Sequence, residues 1–302
     1  MGSQLTNAAA EDVDLAGLRR GLGRDGTPIP AYQTLGVEVR QAAAGSAVVR
    51  LPTSPHLAAP GGGLLPGAFA VLADACCGCA IAAALPAGGA ALTAQLRVEF
   101  IRSLPPGHGW IEGRADADAV EDDSGLARAE IVDEADQLLA VASLRIIKAS
   151  YEGFRSAAQP APIAQAAATH RAETPVDRFL GVVSRLVTSG LAAWTFRPPP
   201  GAANSFAMMH GGVLGLLAHE VASDAQRSLI GPGEELVPLD LVVNFYRGVP
   251  ASGGLAMATA RVTHRGRRFV VAEGEVTGSN GRPALRLSAG AQVRGPRTGE
   301  RG

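Results

Sequence analysis

The sequence predicts an α+β protein made of two copies of one unit, each an antiparallel sheet wrapped around one long central helix. Three observations carry that expectation. The chain repeats itself at a shift of 145 residues, the separation of Pro30 and Pro175. Each copy holds one apolar stretch of about twenty residues, 66–85 and 211–230, enough for a helix of five to six turns. Alternating segments such as "LRVEFIR" and "LVVNFYR" follow it in each copy, as half-buried antiparallel strands do.

The repeat runs without a gap from about residue 30 to residue 143. Leu35-Gly36-Val37 meets Leu180-Gly181-Val182, Gly45 meets Gly190, and Leu72-Ala73 meets Leu217-Ala218. Further on, Phe100 meets Phe245, Arg102 meets Arg247, Glu130 meets Glu275 and Ser143 meets Ser288. One constant offset over that distance is a duplication, and two copies of so long a period make two domains rather than a solenoid. The expected units are 26–150 and 174–294. Between them, 151–173 contains the Ala/Pro/Gln-rich "SAAQPAPIAQAAATHRAE" and reads as a linker. Residues 1–25 and 295–302 read as peripheral tails.

Within the first unit the expected order is a strand at "SAVVRLP", a loop rich in Pro and Gly, and the helix 66–85. Strands at "ALTAQLRVEFIR", "WIEGRADADAV", "LARAEIVDEA" and "LLAVASLRIIK" complete it. The second unit repeats this from "LAAWTFRP", with "HRGRR" (264–268) as a basic turn between two strands.

Composition narrows the function classes. With 47% hydrophobic residues, 18% charged and a net charge of −1, no basic field exists to hold a nucleic acid or an anionic membrane surface. No apolar run is long enough to span a bilayer and no leader pattern is visible. Cys76, Cys77 and Cys79 crowd into one segment and cannot form a disulfide framework, which suits a reducing cytoplasm. The spacing of Cys76 and Cys79 has no second pair to complete a metal site, so these read as small core residues of a helix. Lys148 is the one lysine among 27 basic residues, a bias of GC-rich bacterial genes.

In the second half, Asn204 precedes His210-Gly211-Gly212 at the start of the apolar stretch. This order of elements, with His-Gly-Gly opening the helix, resembles the hotdog-fold acyl-CoA thioesterases of the PaaI-like and 4-hydroxybenzoyl-CoA thioesterase type. The resemblance covers both halves and implies a tandem double hotdog. The family pattern runs approximately Asn/Gln-x5-His-Gly-Gly-x6-Asp/Glu, with a Ser or Thr on the following strand. It also implies that each active site takes its glycine backbone from one hotdog and its carboxylate from the other. Helix geometry requires such sharing in any case. Nine residues rise about 13.5 Å and turn through about 900°, so no helix brings its own ninth residue to its own N-terminus, whereas an antiparallel neighbour does.

Set on that pattern, the halves have complementary losses. The second keeps Asn204, His210, Gly211 and Gly212 but has His219 in place of the acid and Pro238 in place of the hydroxyl. The first has Ala59 for Asn and Leu65-Pro66-Gly67 for His-Gly-Gly, yet keeps Asp74 and Thr93. One composite site would therefore join Asn204, His210, Gly211 and Gly212 to Asp74 and Thr93. The other would lack every polar group the chemistry needs.

The resemblance implies hydrolysis of an acyl-CoA thioester to a carboxylic acid and free CoA. No metal or redox cofactor is implied; the coenzyme A moiety belongs to the substrate. The Gly211 and Gly212 amides would form an oxyanion hole. Asp74 would be nucleophile or general base on water, and sequence leaves both open. Thr93 would orient the water or the carboxylate. His210 would order the turn before the helix, and Asn204 would hold that loop or the substrate carbonyl. Glu220, one residue past His219, is turned by about 100° and should not replace the acid, facing packing or solvent instead. Arginines of "HRGRR" could meet coenzyme A phosphates, although a solvated hairpin is the preferred reading. Two other functions compete: a non-catalytic acyl-CoA binding or scaffold protein, and an acyl-thioester dehydratase or hydratase. For the latter, "HLAAPGGGLLPGAF" has a suitable His and Pro-Gly, but Leu72 stands where the acid is required. A homodimer of double-hotdog chains is the expected assembly.

Overall fold

The computed structural model describes residues 26–43, 45–85, 90–121, 123–149 and 174–295. The expected linker, the N-terminal tail and residues 296–302 lie outside the described residues.

The first half runs α1 (Pro30–Leu35), β1 (Glu38–Ala43), β2 (Ser46–Pro52), a 3-10 turn (Pro55–Leu57), α2 (Ala68–Ala84), β3 (Ala90–Phe100), β4 (Trp110–Val120), β5 (Ser124–Val132) and β6 (Leu138–Ala149). The second half runs α3 (Pro175–Leu180), β7 (Val182–Thr188), β8 (Leu191–Phe196), a 3-10 turn (Pro200–Ala202), α4 (Gly211–Arg227), β9 (Glu235–Phe245), β10 (Ala256–Arg265), β11 (Phe269–Thr277) and β12 (Pro283–Arg294). All twelve strands form one sheet in the order β1-β2-β4-β5-β6-β3-β9-β12-β11-β10-β8-β7. The order on one side of the β3–β9 junction is repeated on the other, as a duplication requires. That junction is short: the antiparallel ladder runs from Gln95 opposite Asn244 to Glu99 opposite Asp240.

Three features differ from the sequence expectation. Each half begins with a short helix, α1 or α3, started by a proline and ended by a glycine at positive φ, Gly36 or Gly181. Each half also has an extra edge strand, β1 or β7, so six strands and not five. The long helices are shorter than expected: α2 starts two residues after Pro66, and α4 ends at Arg227 rather than 230.

The sheet packs around both long helices. α2 touches all six strands of its own half, and α4 those of the other. A helix hydrophobic on all sides is one buried on all sides, and Asp74 is the only charged residue in α2. The helices meet antiparallel through their first turns. A Cβ on Gly67 would lie 3.1 Å from the Leu216 Cα, one on Gly215 2.8 Å from the Ala70 Cβ, and one on Gly212 2.6 Å from the Val71 Cα. Glycines thus let the two backbones approach where the first two turns of each helix pass those of the other. "HRGRR" is a hairpin turn, as expected, joining β10 to β11.

Candidate active site

The antiparallel crossing brings Asp74, on the second turn of α2, to the N-terminus of α4. The Gly212 N–H donates to Asp74 Oδ2 at 2.8 Å, and the Thr93 hydroxyl on β3 donates to Asp74 Oδ1 at 2.7 Å. Thr93 sits at a bulge in the pairing of β3 with β6, where register shifts between Thr93 and Gln95. A Cβ on Gly211 would stand 3.0 Å from each carboxylate oxygen. Gly211, Gly212, His210, Asp74 and Thr93 therefore gather within a few ångströms. The carboxylate is buried, with 7% of the residue exposed, and its two hydrogen bonds replace the water it has lost.

His210 is the N-cap of α4. Its Nδ1 accepts from the Gly212 N–H at 3.2 Å and lies 3.2 Å from Asp74 Oδ2. Two acceptors thus surround one donor, and this is not a charge pair. Burial pushes the imidazole below its ordinary value of 6.5, and the pull of Asp74 in the other direction does not restore it. The ring is neutral at pH 7, and its proton belongs on Nε2. The Gly212 amide, expected to be free beside Gly211, is thus engaged by Asp74 and His210. Among the described residues no acceptor is paired with the Gly211 amide, which leaves one open donor at the positive end of the helix.

Asn204 lies upstream in the loop that leads to His210. Its Oδ1 accepts from the Phe206 and Met208 amides at 2.9 and 3.1 Å, and its own amide donates to the Met208 carbonyl. The side chain closes the loop around Ala207, a non-glycine residue at φ 56°.

The equivalent place in the other direction is different. His219 occupies the turn of α4 that corresponds to Asp74, and its Nδ1 is 3.1 Å from Glu220 Oε1 and 3.4 Å from Ser223 Oγ. Its ring packs edge-on to Phe100, which packs in turn on Phe69. Opposite it, Leu65 is buried and Pro66 has no N–H to offer. Glu220 faces packing, not solvent. Burial pushes its carboxyl up, yet His219, with Arg227 and Arg185 nearby, outweighs that and holds it below the ordinary range. Arg185 also pairs with Asp177 and Asp224 and lies 3.8 Å over the Trp194 ring, whose Nε1 donates to Asp224. Sequence reasoning missed this charged layer beneath α4. The Thr174–Asp177 capping box that begins α3 was its one visible sign.

The cysteines are core residues of α2, as expected: all three are buried and free, and burial pushes the Cys79 thiol up to about 12. No helix among the described residues is long and apolar enough to cross a membrane.

Two family models match the chain. That of the thioesterase superfamily matches residues 206–284, and that of the acyl-CoA thioesterase C-terminal domain matches residues 21–143. No curated protein matches the sequence at a significant level. Among solved structures, acyl-CoA thioesterase II TesB2 from Mycobacterium marinum is similar over 89% of this chain and 98% of its own, with 12% identity and a TM-score of 0.62. A putative thioesterase from Novosphingobium aromaticivorans is similar over 85% of this chain and 98% of its own, with 15% identity and a TM-score of 0.59. The tesB protein of Mycobacterium avium subs paratuberculosis covers 87% and 98%, at 12% identity and a TM-score of 0.58. At these identities the structures speak for the fold, and the family models for the kind of enzyme. The chain belongs to the hotdog-fold acyl-CoA thioesterases and is a thioester hydrolase.

Proposed function

We propose that the chain is a tandem double hotdog, with units 26–150 and 174–294, and that it hydrolyses acyl-CoA at one composite active site built from both. Asp74 is assigned as the general base: Thr93 and the Gly212 amide fix its carboxylate with one hydrogen bond to each oxygen, and the remaining lone pairs can accept a proton from water. A water held against Asp74 attacks the thioester carbonyl carbon. The carbonyl oxygen gains negative charge in front of the Gly211 amide, a fixed donor at the start of α4. When the tetrahedral adduct collapses, the C–S bond breaks, the acid departs, and the CoA thiolate takes up the proton. Water is the only co-reactant, and the coenzyme A moiety enters as part of the substrate. His210 and Asn204 hold the loop and the helix start in place without transferring protons. Two such chains pairing into a homodimer belong to the same proposal, and sedimentation as a strict monomer would remove it.

The observation that carries this assignment is the meeting of Asp74 with Thr93 and the Gly212 amide from opposite halves. At the corresponding place His219 is engaged by Glu220 and Ser223 of its own helix and packed on Phe100, with Leu65 and Pro66 where the His-Gly turn would be. The test is thiol release from acetyl-, hexanoyl-, lauroyl- and benzoyl-CoA, with the acid product measured alongside. Hydrolysis of at least one, lost in Asp74→Asn, is the expected result. Tight acyl-CoA binding without thiol release would mean a binding protein instead.

A further inference from the structure

α1 of the first half does not pack only on its own sheet. It docks on the 3-10 turn Pro200–Ala202 of the other half, and the Ala31 amide donates to the Ala203 carbonyl at 2.9 Å. The adjacent carbonyl, that of Ala202, accepts from the His210 amide at 2.9 Å. Two successive carbonyls of one loop thus tie α1 and His210 together. Between these ties the Tyr32 ring is buried against the His210 imidazole, with centroids 5.2 Å apart and planes tilted by 59°. His210 holds the Gly212 amide from one side while Asp74 holds it from the other.

We infer that Tyr32 is a positioning residue for hydrolysis: its ring fixes the His210 imidazole, and through it the N-terminal turn of α4 on which Asp74 and the carbonyl-binding amide depend. The inference rests on the composite site proposed above. The duplication supplies the internal comparison. At the shift of 145 residues Tyr32 corresponds to Asp177, and His210 to Leu65. Asp177 is bound instead to Arg185 and Thr174. An aromatic residue thus stands at this place only in the copy that faces an intact His-Gly-Gly. Burial, with Cys79, Asp74 and Cys76 nearby, pushes the Tyr32 hydroxyl well above its ordinary value. The side chain stays neutral with its hydroxyl engaged by Cys79, and the ring is the part that meets His210.

The test measures kcat and KM for the best substrate of the four-compound panel in Tyr32→Phe, Tyr32→Leu and Tyr32→Ala, each with and without His210→Ala, beside Asp74→Asn. Tyr32→Phe keeps the ring and should hold kcat within about twofold; Tyr32→Leu and Tyr32→Ala should lower it about tenfold or more with KM little changed. In the His210→Ala background the Tyr32 substitutions should add nothing, since the residue acts through that ring. Wild-type kcat in folded Tyr32→Leu, or losses that multiply with His210→Ala, would overturn the inference. If Asp74→Asn is inactive and the Tyr32 variants are normal, only the positioning role falls. If Asp74→Asn is fully active, the composite site falls and the inference with it.

Discussion

Asp74 Oδ2 accepts a hydrogen bond from the Gly212 amide at 2.8 Å across 138 residues of sequence. No other pair in the site joins the two halves so directly. Replacing Asp74 by Asn keeps the volume but loses the proton acceptor. Turnover should fall by about 10²–10⁴, the usual worth of a positioned base, while circular dichroism and elution volume stay those of the parent. An Asp74→Asn protein within tenfold of wild type would move the chemistry elsewhere.

The two glycines of the helix start should fail in different ways. A Cβ on Gly211 meets the carboxylate first, 3.0 Å from both oxygens. Gly211→Ala should therefore cost activity, about 10- to 100-fold in kcat, with little change in Tm. A Cβ on Gly212 meets backbone, 2.6 Å from the Val71 Cα and 2.8 Å from the Ala70 carbonyl oxygen. Gly212→Ala should wedge the helices apart and cost about 1–3 kcal/mol of stability, read by urea unfolding. Equal effects of the two substitutions on Tm would contradict this division.

His210 sets a pH dependence of stability. Its folded value lies below the ordinary 6.5, so the unfolded chain binds the proton more readily. Its contribution is full above about 6.5 and is lost as pH falls from there through the lowered folded value. Glu220, also lowered, contributes with the same sign in a more acidic window, below its ordinary 4.5. Urea midpoints measured from pH 7.5 down to pH 5 should fall, and His210→Gln should flatten that slope. An unchanged slope in the variant would exclude His210 as its source.

The His219 side should matter to stability but not to rate. His219→Ala removes the partner of buried Glu220 and the ring packed on Phe100, so the melting temperature should drop. At temperatures where the variant is folded, its kcat should match wild type, as should that of Pro66→Ala. Calorimetric titration with a non-hydrolysable acyl-CoA thioether should give one site per chain. Two equivalent sites, or equal losses from His219→Ala and Asp74→Asn, would contradict the composite site.

The duplication was legible because backbone-critical residues such as Gly36 and Gly181 keep their places at one constant offset. The helices and inner strands followed from their apolar runs. β1 and β7 were not legible, since an edge strand is half solvated: "EVRQAA" buries only Val39 and Ala42, and both edge ladders are interrupted by bulges. Of the candidate site, the grouping of Asp74 and Thr93 with His-Gly-Gly was implied by the family resemblance and not by residue types alone. The engagement of the Gly212 amide could not be read, because a sequence does not say which of two adjacent N–H groups a carboxylate will take. Tyr32 was hidden for a similar reason. An aromatic residue in a six-residue helix reads as ordinary core, and only the docking of α1 on the opposite half gives it His210 as a neighbour.

The helix crossing also bears on how such a chain could come to be asymmetric. In a dimer of identical subunits every mutation appears twice, so losing the acid or the glycine turn destroys both sites at once. Fusion of two copies breaks that constraint, because each position then mutates once. Here the replaced acid, His219, and the replaced turn, Leu65-Pro66, lie on the same side of the crossing. In the proposed composite-site reading, with either of them missing the other would contribute nothing to that second site. That place is filled by the buried His219–Glu220 pair and by the Phe100 ring. A fused chain can therefore lose one of two equivalent sites while keeping the other, which two identical subunits cannot do.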